Sequence, residues 1–548
     1  MGIFSKQKKE ENSNVEPNLL STKSLVTLII LDGFGIHPDP EGNAVLQSKT
    51  PFLDIAWTQG KSSLIHASGT SVGLPAEAPG DSETGHLNIG AGQVVYQSLP
   101  RIDDAISSHE LDENPVVKEM FSEVRKRGSD LHFVGVLSAA GVHGHIKHLF
   151  SFLEMSRAYG INPFIHIILD GRDTPQREGF LYVNKLKEKI AELGVGRIAS
   201  MMGRFYGMDR DGKWERTKLA YDAMVGASPE KFMDPVEVLQ KEYASGGDDE
   251  HVIPMTKVDE NGQILGKVKP NDVVLFYNFR EDRARQLTKA FVLQDFPYFQ
   301  RIDFPSNLYF ATMTGYEEGL PAKVVFPPVK IKKPLCEVLS DNGKTQVHIS
   351  ETEKHMHVTY FFNGGTEHLH PGEEFFNEPS PYVTSYAEIP EMSALKITEY
   401  TVGRIKEGKD NFVLINYANP DMVGHTGDLI ACIKANEIVD DCVQKVVKAT
   451  LSKGGAVIIT ADHGNCETMI NRVTKEIDVA HTNNPVPFII LESERDIVQK
   501  KGIKVVKIGT GDKAKVTGIL ADIAPTVLSF LGITPPESMT GMDLRRVI

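Results

Sequence analysis

Residues 25–35 read LVTLIILDGFG, an apolar run from Leu25 to Leu31 closed by Asp32 and the turn Gly33-Phe34-Gly35. A short run without polar alternation suits a strand buried on both faces, and an acid directly after it lies where open α/β sheets collect their ligands. The pattern recurs in 412–421 (FVLINYANPD) and 456–463 (AVIITADH). Strands are expected at Val26–Leu31, Leu131–Val136, Ile165–Leu169, Val273–Tyr277, Leu308–Thr312, Phe412–Tyr417, Ala456–Thr460 and Val486–Leu491, with longer helical patterns between them. This alternation predicts the α/β class, with parallel sheets flanked by helices.

Two breaks interrupt the alternation, Ser98-Leu99-Pro100 and Phe326-Pro327-Pro328. Acids and imidazoles concentrate outside them and suspicious arginines between them, which predicts one domain split by an inserted second one. The expected boundaries are an N-terminal arm at 1–23, read as disordered, a metal-binding domain at 24–97 and 330–548, and an inserted substrate domain at 101–326.

The bulk numbers exclude several classes. With 41% apolar and 24% charged residues over 548 positions, the chain can bury large cores. A formal charge of −14 argues against nonspecific nucleic-acid binding, so an anionic substrate needs a locally basic pocket. Four cysteines without CxxC spacing fit a reducing compartment rather than a disulfide framework. No apolar run reaches the length of a membrane span, and no secretory or myristoylation signal is evident. A soluble, cytoplasmic protein without a membrane or nucleic-acid partner is expected.

Six residues follow or precede strands in a pattern that suits metal ligation: Asp32, Asp421, His425, Asp462, His463 and His481. Any one alone would be an ordinary turn acid or packed histidine. Together, three carboxylates and three imidazoles suit two borderline divalent cations at a phosphoryl centre, zinc or manganese alike. Ser82, in GDSETGHLNIGAG, opens an expected short helix. Its simplest reading is a helix N-cap with Glu83 in the first turn; beside a metal, its hydroxyl could instead ionise and act as a nucleophile.

The middle segment carries Arg172 and Asp173 in ILDGRDTP, Arg204 and Arg210 in GRFYGMDRD, and Arg280 and Arg283 in FREDR. Forked guanidinium donors suit a small substrate bearing phosphate and carboxylate, and a three-residue spacing would put Arg280 and Arg283 on one helical face.

Taken in order, LDGFG, DSETGHLNIGAG, NPDMVGH, ADHGN and AHTNNPVP resemble the cofactor-independent (2,3-bisphosphoglycerate-independent) phosphoglycerate mutases of the alkaline phosphatase superfamily, from about Leu25 to the C-terminus. The resemblance implies an alkaline-phosphatase-like three-layer domain, split by the insertion, and interconversion of 3- and 2-phosphoglycerate through phospho-Ser82. It assigns Asp421, His425 and His481 to one cation and Asp32, Ser82, Asp462 and His463 to another. Manganese is the expected ion, zinc, cobalt or magnesium the alternatives, and 2,3-bisphosphoglycerate is not required. It places His143, Arg172, Asp173, Arg204, Arg210, Arg280, Arg283 and Lys354 around a small phosphorylated glycerate, with Asp173 and Lys354 joining Ser82 in catalysis. Closure of the two domains over the substrate and a monomeric state are expected.

The sequence departs from the family pattern at Ala139-Ala140, where Asp-Gly is usual, and at Pro79-Gly80-Asp81, where Met-Gly-Asn is usual. Cys466 is read as packing. The rivals are another metal-dependent phosphomutase or phosphomonoesterase of the superfamily, and a nonenzymatic metal-binding scaffold. The near P-loop at Gly262–Val268 lacks the required spacing and the final Ser/Thr.

Overall fold

The computed structural model describes residues 21–548, so the expected arm at 1–23 lies almost wholly outside the described residues. The described chain forms two compact units, one built from the residues up to Val95 with Lys330–Ile548, the other from Tyr96–Val329. Each is organised around its own eight-stranded, mostly parallel sheet with helical crossovers, so the α/β expectation holds.

In the first unit the strands run, across the sheet, Glu373–Glu378, Gln346–Glu351, Phe412–Tyr417, Val26–Leu31, Ala456–Thr460, Val486–Leu491, Lys61–His66 and Val516–Ile519. Only Val486–Leu491 runs against its neighbours. The three central strands bury every residue, which is why they lack polar alternation. Leu31 pairs with Tyr417 and Ile30 with Thr460, so three strands end almost level. Asp32, Asp421 and Asp462 all emerge at this carboxyl edge.

In the second unit the order is Lys323–Phe326, Tyr309–Thr314, Val273–Phe276, Leu131–Val136, Phe164–Leu169, Arg197–Gly203, Met255–Lys257 and Lys231–Phe232. Its apolar groups form one cluster that includes Phe133, Phe152 and Ile167 and another that includes Ile168, Tyr221 and Phe276. Ile167 and Ile168 are consecutive in one strand and therefore face opposite sides of the sheet, each toward its own cluster.

Three local expectations are corrected. Ser98-Leu99-Pro100 is not an irregular break: it opens the helix Ser98–Ser107, where a first-turn proline forfeits no intrahelical hydrogen bond. Arg280 has extended backbone and precedes the helix Glu281–Val292, so it does not share a helical face with Arg283. Ser82 is not the N-cap of its helix. That role belongs to Asp81, whose carboxylate accepts the Thr84 N–H at 2.7 Å.

Candidate active site

The first unit gathers its chemistry where the level strands end. Gly33 has a φ of +69°, and a Cβ there would lie 2.7 Å from Asp421 Cβ; the glycine after Asp32 is what lets these two acid-bearing turns touch. With Asp81 holding the helix Ser82–Ala91 by its cap, the Ser82 hydroxyl is free to face the strand ends. Gly85, one turn on, lies so close to the Asp462 carbonyl that a Cβ would meet it at 2.6 Å. Ser82 Oγ thus sits 2.8 Å from His463 Nε2 and donates to Asp32 Oδ1 at 3.2 Å, almost wholly buried.

Among the described residues, two groups bring ligand-type atoms within 4.8 Å of one another: Asp421, His425 and His481, and Asp32, Asp462 and His463. The first group fits a cation on hydrogen-bonding grounds. His425 Nδ1 lies 2.8 Å from the Val479 carbonyl and His481 Nδ1 2.9 Å from that of Gly80, so neutral rings carry their protons on Nδ1. Their Nε2 lone pairs then face each other at 3.0 Å, with Asp421 Oδ1 3.2 and 3.3 Å away. Three acceptors converging on one point suit a divalent ion. In the second group Asp462 Oδ2 is buried and makes no well-formed hydrogen bond, since His86 Nδ1, 3.2 Å away, is directed to the Ser82 carbonyl at 2.9 Å; both Asp32 and Asp462 have zero exposure.

Lys354 lies between the groups, in the turn Thr352–Lys354 that follows the strand Gln346–Glu351. Its Nζ is 2.6 Å from Asp32 Oδ1, 2.6 Å from Asp421 Oδ2 and 2.8 Å from Ser82 Oγ. Burial works against its charge, but Asp32, Asp421 and Asp462 outweigh it and hold the ammonium above the ordinary lysine value. Burial likewise opposes the charge on Asp421, and Lys354, His425 and His481 keep that carboxyl well below its usual range. With the imidazoles neutral, one ammonium against three buried carboxylates leaves an excess of negative charge that bound cations would neutralise. Without them burial opposes the charge on His463, but Asp462 and Asp32 raise it to about 10, so it carries part of the counter-charge.

Several side chains that the sequence did not single out hold this arrangement. Asn416 donates to Asp32 Oδ2 at 2.7 Å and lies 3.0 Å from His86 Nε2, while His86 Nδ1 lies 3.2 Å from Asp462 Oδ2. Asn465 donates to Asp421 Oδ1 at 3.1 Å. Glu467 accepts the N–H groups of Gly35 and Asn465 at 3.1 and 2.9 Å, tying two site loops together. Cys466 is fully buried in the core, as a packing residue is.

The second unit carries its own polar cluster at the carboxyl edge of its sheet. Asp170, directly after the strand Phe164–Leu169, accepts from Ser138 Oγ at 2.7 Å, from the Asp173 N–H at 3.0 Å and from Arg204 at 2.6 Å. Arg204 is 2% exposed and also donates to Asp173 Oδ2 at 2.5 Å, so its guanidinium orients Asp173. Burial opposes the charge on Arg204 and the two carboxylates override it, raising its pKa. Asp170 was legible in principle, since it ends a strand as Asp32 does.

His143 lies 3.7 Å from Asp173 Oδ2 and 3.5 Å from Asp282 Oδ1. Burial and the neighbouring Arg204 pull its imidazole down to about 4, so it is neutral near pH 7. Arg210 and Arg280 flank Asp282 at 2.7 and 3.4 Å, Arg283 donates to the Met208 carbonyl, and Arg172 lies 3.4 Å from Glu250. Arg283 is lowered by burial and then by Arg204, Arg210 and Arg172, so the guanidinium groups concentrate positive charge. Ala139 and Ala140 are exposed, and the Ala140 N–H donates at 3.1 Å to Ser138 Oγ, which in turn donates to Asp170.

Comparison with known proteins places the chain. The family model described as the BPG-independent PGAM N-terminus matches residues 102–318. A 2,3-bisphosphoglycerate-independent phosphoglycerate mutase of Synechococcus sp. (strain JA-2-3B'a(2-13)) is 45% identical over 519 residues, 95% of each chain. The enzyme of that name from Listeria monocytogenes is 45% identical over 525 residues, 95% of this chain and 99% of its own. A solved Leishmania mexicana phosphoglycerate mutase, studied at low cobalt concentration, is 32% identical with a TM-score of 0.56, covering 96% of this chain and 98% of that one. With identity at this level over nearly its whole length, the chain belongs to the 2,3-bisphosphoglycerate-independent phosphoglycerate mutases.

Proposed function

We propose that this chain interconverts 3-phosphoglycerate and 2-phosphoglycerate by holding the phosphoryl group on Ser82 while glycerate changes the oxygen it presents. The observation that carries this reading is the setting of Ser82 Oγ, between His463 at 2.8 Å and Lys354 at 2.8 Å. A cation held by Asp421, His425 and His481, and another held by Asp32, Ser82, Asp462 and His463, would lower the serine pKa and neutralise phosphoryl charge. Manganese is our choice of ion.

Ser82 Oγ forms the new bond to phosphorus as the bond to the 3-oxygen of glycerate breaks. Lys354 donates to the oxygens that gain charge in that step. The N–H groups at the start of the helix Ser82–Ala91 favour the resulting phosphate ester. Arg172, Arg204, Arg210, Arg280 and Arg283, with His143, hold the carboxylate and phosphate of the substrate. The proton that Ser82 loses passes to the departing 3-oxygen. Asp173, a carboxylate paired with Arg204, takes the proton of the 2-hydroxyl when the phosphoryl group returns, and that proton goes back to Ser82 Oγ as its bond to phosphorus breaks. The segments 24–97 with 330–548 serve as the metal domain and 101–326 as the substrate domain. We take the chain to act as a monomer in the cytoplasm, a reducing compartment that suits its four unpaired, buried cysteines. Among the described residues no helix is long and apolar enough to cross a membrane.

The test is phosphorus NMR of purified enzyme with 3-phosphoglycerate and manganese, without added 2,3-bisphosphoglycerate. Accumulation of 2-phosphoglycerate supports the reading; release of inorganic phosphate alone would replace it with a phosphomonoesterase.

A further inference from the structure

The second unit has a cleft of about 460 Å³ at the amino ends of the strands Phe164–Leu169 and Arg197–Gly203. The residues proposed for the glycerate follow the carboxyl ends of the same strands, so six or seven residues of extended chain separate the two places, about 20 Å. The cleft lies within the size range of small-molecule sites. Phe164, Ile190, Ile198, Met233 and Leu265 give it apolar walls. Met233 and Leu265 remain 58% and 36% exposed, so part of that wall is uncovered.

Its charged groups are unbalanced. Lys187 is paired with Asp234 at 3.2 Å. Arg197 stacks 3.7 Å above the Phe164 ring and donates to the Asn162 carbonyl. Lys257 donates to the Met233 carbonyl at 2.9 Å. Among the described residues, no carboxylate lies within ion-pair distance of Arg197 or Lys257. Burial lowers the Lys257 pKa, consistent with a partly desolvated cation that lacks a full counter-charge. A second cleft of about the same volume has the opposite balance: Asp104 and Glu110 face one Arg101, which donates to the Pro327 carbonyl.

We propose that the cleft between Phe164, Met233 and Leu265 binds a small, freely diffusing amphiphilic anion, with its apolar body on those side chains and its carboxylate, sulfonate or phosphate between Arg197 and Lys257. Asp234, the one acid of the lining, is ion-paired with Lys187 and only partly offsets Lys257, so three cations face one carboxylate above an apolar floor, a balance complementary to such a molecule.

The test uses 8-anilinonaphthalene-1-sulfonate as the anionic probe and N-phenyl-1-naphthylamine as its uncharged counterpart, titrated by fluorescence into the full chain. One saturable anionic probe per chain is expected, with the uncharged probe weaker. The double variant Arg197→Gln/Lys257→Gln should weaken the anionic probe by about tenfold or more, and exposed Met233→Glu should do the same by repulsion. Saturating 3-phosphoglycerate should leave the probe bound. Mutase activity and melting temperature, equal to wild type in both variants, establish that they are folded. Unchanged affinity in both variants, displacement by 3-phosphoglycerate, or no saturable binding would overturn the proposal.

Discussion

The Lys354 ammonium donates to Ser82 Oγ across 2.8 Å while also touching Asp32 and Asp421, so one cation contacts the proposed nucleophile and an acid from each candidate ligand group. Lys354→Met keeps much of the side-chain volume and removes the charge. The loss of a preorganised donor at a developing oxyanion predicts a fall in kcat of about 10²–10³. Bound metal should be retained, since the carboxylates lose a competing cation. Steady-state kinetics paired with metal analysis checks this; loss of metal in proportion to activity would make Lys354 a structural residue instead.

Asp81 caps the helix that presents Ser82. Asp81→Ala should cost about 1 kcal/mol of stability and lower activity by letting the first turn fray. Asp81→Asn, which keeps the acceptor, should leave both close to wild type. Thermal denaturation and kcat of the two variants side by side distinguish capping from charge.

Chelation should abolish activity and lower the melting temperature, because the buried acids Asp32, Asp421 and Asp462 then lose their counter-charge. As the proposed ligands, His425 and His481 would bind a cation only through unprotonated Nε2, so metal should be released as pH falls. Metal content after dialysis at acid and at mildly alkaline pH, followed by add-back of manganese or cobalt, measures both effects.

Buried Glu351 gives a pH signature in the fold itself. Burial pushes its carboxyl up to about 7, although Ser380 and the Ser393 N–H favour the charged form. Between its unfolded value near 4.5 and that folded value, the native state holds a proton that the unfolded chain has lost. Stability therefore falls as pH rises through this window, and the cost, about 3 kcal/mol, is complete above pH 7. Glu351→Gln should match wild type at the acid end of the window and melt higher at pH 8. A melting-temperature difference that does not change with pH would contradict the assignment.

Legibility in the sequence followed local chemistry. The strands Val26–Leu31, Phe412–Tyr417 and Ala456–Thr460 were readable because burial on both faces demands unbroken apolar runs. The strand Arg197–Gly203 (RIASMMG) was not, since its Ser and Met residues carry little β signal and only its place between neighbours makes it a strand. Lys61–His66 (KSSLIH) was missed for the same reason. The ligand-type residues stood out because each lies beside a readable strand. Asn416, His86 and Asn465 did not: Asn416 reads as one more residue of a strand, and its contact with His86 spans 330 positions. The Ser82 cap was misread because Asp and Ser are comparable cap formers and adjacent.

The most direct test is mass spectrometry of enzyme quenched in acid during turnover of 3-phosphoglycerate. The account predicts a phosphoryl group on the peptide containing Ser82, absent in a Ser82→Ala variant that still binds metal and makes no 2-phosphoglycerate. Full turnover by that variant, or a phosphoryl group on another residue with Ser82 unmodified, would contradict it.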